Sequence, residues 1–70
     1  MIHDVTIAET PRGWLWKEHG RYYKTASGAQ RAARRYSRQR AETRGFDILR
    51  ITWEPSTWMG RLIAKALAEG

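Results

Sequence analysis

Four arginines, Arg31, Arg34, Arg35 and Arg38, recur at i, i+3, i+4 and i+7. On a helix that spacing gathers them on one side. A guanidinium is always charged and presents a planar fork of donors, so a row of them suits phosphate, carboxylate or the edge of guanine. The row also carries a cost. Like charges three and four residues apart destabilise a helix by roughly 0.2–0.5 kcal/mol per pair, and on that face only Glu42 offers relief. An unrelieved basic face predicts an anionic partner, against the plainer alternative of a solvated surface. Arg44 belongs to the same basic region.

A second group is Lys17, Tyr22 and Lys24. Exposed together on one face of a hairpin, they would make a basic-aromatic surface of the kind that stacks bases. In the alternative, favoured by the small size of the chain, Tyr22 and Leu15 are core beneath a C-terminal helix. His3 and His19 have the chemistry of general acid–base groups, as a small ribonuclease toxin would need. His3 lies near a terminus and His19 at an expected turn tip, so both read better as surface residues. The acids Asp4, Glu9, Glu18, Asp47 and Glu54 are scattered and show no two-metal pattern. Gly13, Gly20 and Gly28 fit no phosphate-binding loop. With no cysteine and two histidines, no metal site and no cofactor are expected. No catalytic motif is found, and a non-enzymatic protein is the expectation.

These residues must be positioned by a small scaffold. Seventy residues predict one domain, 1–70, whose large buried pieces are four Trp, three Tyr and one Phe. The net charge of +6 is uneven: residues 21–44 carry eight cations against Glu42, and the remainder sums to −1. The start, MIHDVTIAET, lacks the basic beginning and apolar run of a secretory leader, and no stretch is long and apolar enough for a membrane span. A cytoplasmic chain is expected.

The arginine row lies within Ser27–Arg44. Ser27 and Gln30 have capping-box spacing, Gly45 is a natural stop, and no Pro interrupts. At 3.6 residues per turn, Ala29, Ala32, Ala33, Tyr36 and Thr43 oppose the arginines. Arg40 falls on the alanine side, to snorkel outward or pair with Asp47 or Glu54.

Residues 2–9 alternate as a strand, and Thr10-Pro11-Arg12-Gly13 is a turn. Residues 14–25 read as a β-hairpin about a two-residue His19-Gly20 turn. In that register Glu18 faces Arg21 and Trp16 faces Tyr23, with Trp14, Trp16, Tyr23 and Thr25 on one face. That face is expected to pack on the alanines. Residues 46–54 form a further strand, with Leu49, Ile51 and Trp53 on one side and Pro55 at its end. Ser56 or Thr57 then caps a helix over roughly 57–68, whose stripe Met59, Leu62, Ile63, Ala66 and Leu67 has Trp58 at its edge. The stripe is expected in the core, on the second face of the sheet. The alternative is an interface through Trp58, Met59 and Ile63, including a homodimer seam.

The expectation is therefore an α+β fold in the order β-β-β-α-β-α. It has a small three- to four-stranded antiparallel sheet, a central Arg-rich helix and a C-terminal amphipathic helix.

The run Trp14 to Arg34, WLWKEHGRYYKTASGAQRAAR, resembles the arm-type DNA-binding domains of phage integrases. Shared are a Trp strand, a Gly-containing hairpin turn, a Lys-Thr before the helix and Ala-rich helix packing. The similarity covers about a third of the chain, and Phe46 to Gly70 has no counterpart. It implies a three-stranded sheet backed by a helix, with the sheet entering the major groove. Lys17, Tyr22 and Lys24 would then make the contacts. Size and basicity also resemble the small accessory proteins of phages and mobile elements, many of which bind and block a host protein.

Three functions follow. The first is a small nucleic-acid-binding module whose arginine row meets DNA or RNA backbone. The second is a regulator or inhibitor that docks on an acidic surface of a host protein. A distant third is a small ribonuclease toxin using His3 or His19.

Overall fold

The computed structural model describes the backbone of residues 2–44 and 48–69 and the side chains of 2–40 and 48–69. Its elements follow the expected order: β1 (Ile2–Thr10), β2 (Gly13–Trp16), β3 (Arg21–Tyr23), α1 (Ala26–Arg44), β4 (Ile48–Glu54) and α2 (Trp58–Glu69). The expected helix stop at Gly45, the strand start at Phe46 and Asp47, and the side chains of Glu42, Thr43 and Arg44 lie outside the described residues.

The four strands form one sheet in the order β3-β2-β1-β4. Strands β1, β2 and β3 are an antiparallel meander. The expected wholly antiparallel sheet is corrected at β4, which runs parallel to β1 from Ile2↔Ile48 to Ala8↔Glu54. Chain direction requires this. After β3 the helix returns the chain to its starting end, so β4 runs the same way as β1 and β3. Only β2 runs opposite, and both its edges are taken. The free edges belong to β1 and to β3. The nine residues of β1 offer a longer ladder than the three of β3.

The hairpin register also differs from expectation. Trp14 pairs with Tyr23, Leu15 with Tyr22 and Trp16 with Arg21. The loop is four residues, 17–20, closed by the His19 and Gly20 N–H groups donating to the Trp16 carbonyl (3.2 and 2.8 Å). Glu18 therefore does not face Arg21. It accepts from the Thr6 N–H at 2.7 Å. The slip is two residues, an even number, so every side chain keeps its face. Trp14, Trp16 and Tyr23 still stand together.

That shared face meets α1. Val5, Ile7, Trp14 and Trp16 pack with Ala26, Ala29 and Ala33, while Leu49, Ile51 and Trp53 border the cluster. Alanines let the helix approach the sheet, and the indoles fill the remaining space. The helix starts two residues earlier than expected. Thr25 caps it, with the Gly28 N–H donating to Thr25 Oγ1 at 3.1 Å. Gln30, freed from a capping box and buried, donates to the Leu67 carbonyl of α2 at 3.1 Å.

Helix α2 lies on this same side of the sheet, beside α1, and not on the second face. Its capping residue is Thr57, whose Oγ1 accepts from the Gly60 N–H at 2.9 Å. Glu9, at the end of β1, secures that turn. Its carboxylate accepts from the Ser56 and Thr57 N–H groups, both at 2.8 Å, and from the Thr57 hydroxyl at 2.8 Å. A Cβ at position 60 would press into this carboxylate. The helix thus docks through Gly60 and Ala64, its two buried residues, with Leu67 against the core. Apart from Leu67, the stripe expected in the core points outward: Met59, Leu62 and Ile63 are exposed, as is Trp58 at its edge.

The Glu9 contacts make stability depend on acid. The Ser56 N–H, then the Thr57 hydroxyl, hold its carboxyl below the ordinary 4.5. Because the folded-state value is the lower one, the stabilisation is complete above about pH 4.5. It is lost as pH falls through the depressed value. In thermal melts, Glu9→Gln is expected to be less stable than wild type near neutrality. The two proteins should converge as pH falls through that depressed value, where the wild-type carboxyl becomes protonated too. A gap of constant size across that range would show that the charge of Glu9 contributes nothing.

Among the described residues, no helix is long and apolar enough to cross a membrane.

Candidate nucleic-acid interface

Because the small residues of α1 must face the sheet, its other side is solvent. Arg31, Arg34, Arg35 and Arg38 are all exposed there, and together they line one surface depression of about 290 Å³. Their Cα atoms span seven residues, about 10 Å at 1.5 Å rise. Among the described residues none of the four has an ion-pair or hydrogen-bond partner. Arg40, on the sheet side as the wheel placed it, lies over the Tyr36 ring with its guanidinium carbon 5.8 Å from the centroid. Glu54, an expected partner of Arg40, accepts from Lys17 at 3.2 Å.

The other sequence candidates are not gathered with the comb. Tyr22 is not core. It lies 48% exposed on the open face of the sheet, because α2 does not cover that face. Lys17 on that side is engaged by Glu54, and Arg50 by Asp4 at 2.6 Å, a contact that raises the arginine's pKa. Lys24 is exposed beyond the end of β3. The open face thus has two of its cations neutralised locally, whereas no described residue neutralises the four arginines of α1. Trp58, Met59 and Ile63 sit on α2, in a patch with Leu62. The side chain of Arg44 lies outside the described residues.

What the spacing did not reveal is an aromatic cluster between the hairpin and α1. The His19 ring lies flat on Trp16, with centroids 3.9 Å apart and planes 9° apart. Tyr36 from α1 meets His19 edge-on at 4.7 Å and Trp16 at 5.6 Å. His3 approaches the same tyrosine at 5.2 Å, its Nδ1 buried without a hydrogen-bond partner among the described residues. His19 sits in a loop yet is held by two rings, contrary to the expectation of a loose turn tip. Beside this cluster opens a groove of about 350 Å³, lined by His19, Arg21, Tyr23, Arg35 and Tyr36 among others. Its residues come from β2, the loop, β3 and α1, so no single periodicity joins them. The one local hint was Tyr36, an aromatic on the alanine side directly after Arg35.

No known protein family, curated protein or solved structure matches the chain. The chemistry of the surface must therefore carry the functional reading. Among the described residues no cluster of His, Asp or Glu is arranged to hold a metal ion.

Proposed function

We propose that this protein is a small, non-enzymatic nucleic-acid-binding module whose α1 arginines contact the phosphate backbone. One observation carries this reading: four exposed guanidiniums line a single depression and have no acidic partner among the described residues. Folding gains nothing from placing them together, since like charges at this spacing oppose the helix. A polyanion would offset that repulsion and release its own counterions on binding. Contacts of this type give affinity and register without base readout.

The test is a fluorescence-anisotropy titration against duplex DNA, single-stranded DNA and RNA at two salt concentrations. Wild type should bind at about 150 mM salt more tightly than the non-specific range of roughly 10⁻⁴–10⁻⁶ M. Each phosphate contact contributes about 0.9 to the log–log salt slope on a duplex and about 0.7 on a single strand. Changing Arg31, Arg34, Arg35 and Arg38 to Gln should therefore flatten the duplex slope by up to about 3.6. An unchanged slope would remove the comb from the interface.

A second reading is favoured by α2. Trp58, Met59, Leu62 and Ile63 form an exposed apolar patch beside Arg61 and Lys65. Such a patch with a basic border suits an acidic protein surface, as a regulator or inhibitor of a host protein would need. If none of the three polymers binds at about 150 mM salt, this face becomes the working surface.

A further inference from the structure

We infer that the groove between the hairpin and α1 seats one unstacked base of a single strand whose phosphates run along the arginines. The inference rests on the nucleic-acid reading above and adds the form of the ligand.

Three features lead to it. The first is continuity. Arg35 lines both the groove and the depression of the comb, so a strand held by the arginines passes the mouth of the groove. The second is chemistry. His19, Tyr23 and Tyr36 supply rings, while Arg21 on β3 and Arg35 on α1 supply cations, and no acidic side chain among the described residues lines the groove. Rings beside guanidiniums are the combination that holds bases of single strands, since every base has a face to stack and a phosphate next to it. The third is rigidity. The exposed His19 imidazole is backed flat by Trp16, which is only 2% exposed. A platform ordered before binding loses little freedom on binding.

Size and access then choose the polymer. At about 350 Å³ the groove lies at the small end of ligand sites, which run from about 300 to 1,000 Å³. One base fits this scale better than a base pair. A base within a duplex is stacked on both sides and paired at its edge, so it cannot enter without being flipped out. A single strand offers its bases freely.

The experiment compares wild type, His19→Ala and His19→Phe in anisotropy titrations with labelled oligo-uridylate, oligo-thymidylate and a mixed-sequence duplex. Wild type should bind the better of the two single strands about tenfold or more tighter than the duplex. His19→Ala should weaken single-strand binding about 5- to 100-fold, the range for losing one stacked base. Duplex affinity and the salt slope should hold, and His19→Phe should restore single-strand binding. The two single strands differ in the sugar and in the base 5-methyl, so their comparison reports which polymer is preferred.

If His19→Ala does not give the wild-type circular dichroism spectrum, Arg21→Gln takes its place. Arg21 is exposed on the edge strand, and its loss should again fall on single strands more than on duplex. Equal or tighter duplex binding by wild type would overturn the inference, as would equal losses on both polymers. These results leave the comb standing if the four-arginine variant still flattens the salt slope. Failure of wild type to bind any polymer would remove both readings together.

Discussion

Trp16→Ala is expected to produce a chain with no cooperative thermal transition and without native circular dichroism. Trp16 is 2% exposed and pairs with Ile7 of β1 on one side and Arg21 of β3 on the other. Its ring also carries His19 and the edge of Tyr36. Replacing a buried Trp by Ala costs about 3–5 kcal/mol. A chain of this length has a total stability of roughly 3.5–10 kcal/mol, and small domains usually fall toward the lower end. The substitution therefore removes most or all of what is available. Trp16→Phe should behave differently. It keeps a ring for His19 and Tyr36, and it deletes an indole Nε1 that is buried with no partner among the described residues. An unsatisfied buried donor costs about 1–3 kcal/mol, which offsets part of the lost area. A folded Trp16→Ala with a transition near that of wild type would show that the core does not depend on this ring.

Gly13→Ala is the second large effect, and its cause is backbone. Gly13 opens β2 directly after the Pro11-Arg12 turn and has φ of +121°. A Cβ there would lie 2.5 Å from the Tyr23 carbonyl oxygen. Backbone cannot yield as a flexible side chain does. The turn is also tied locally: Thr10 Oγ1 donates to the Gly13 carbonyl at 2.8 Å and accepts from the Arg12 N–H at 3.2 Å. A conformation of this kind costs about 1–3 kcal/mol for a residue with a Cβ, before the collision with Tyr23. For a domain of this size each kcal/mol lowers Tm by about 4–8 °C. Differential scanning calorimetry should show a fall of roughly 10–20 °C. Gly20 provides a contrast within the same hairpin. It also has positive φ, +66°, but nothing lies within 4 Å of where its Cβ would be. Gly20→Asn should be tolerated far better, because Asn adopts that region at modest cost. Equal losses at the two positions would mean that the contact with Tyr23 is unimportant.

Much of the scaffold was legible because the local periods are strong. Ala29 and Ala33 are buried and Arg31, Arg34, Arg35 and Arg38 exposed, as 3.6 residues per turn requires. Leu49, Ile51 and Trp53 face the core side, as a period of two requires. Where expectation failed, two local solutions were nearly equivalent. Ser27 and Thr25 are both good capping residues, and the choice of Thr25 places Ala26 inside the helix, where it is buried. A two-residue and a four-residue hairpin loop keep the same faces, so alternation could not distinguish them.

The candidate site divides the same way. The comb is a property of one helix and was readable from spacing. The groove beside it was not, since His19 was assigned by its position in a loop and Arg21 by a register that does not form. The α2 stripe shows a third case. Its amphipathic pattern identifies which side is apolar, but says nothing about whether the rest of the chain reaches it. The structure buries the narrow side with Gly60 and Ala64 because Glu9 grips the first turn, leaving no room there for larger residues.

By itself the sequence determined the order of elements, the two faces of α1 and the row of arginines opposite the alanines. These depend on residues within a few positions of one another, where helix and strand periods act directly. The parallel pairing of β4 was not legible there: the sequence alone suggested an antiparallel sheet, and the return of the chain along α1 sets the direction of β4. Only the tertiary structure decided that β1 takes β4, that α2 turns its apolar stripe outward, and that His19 and Tyr36 meet beside Arg35. Those outcomes depend on contacts such as Glu9 with Thr57 and Gln30 with Leu67, 48 and 37 residues apart. An apolar stripe or a polar side chain seeks burial or a partner in general, and the packed chain decides which one it finds.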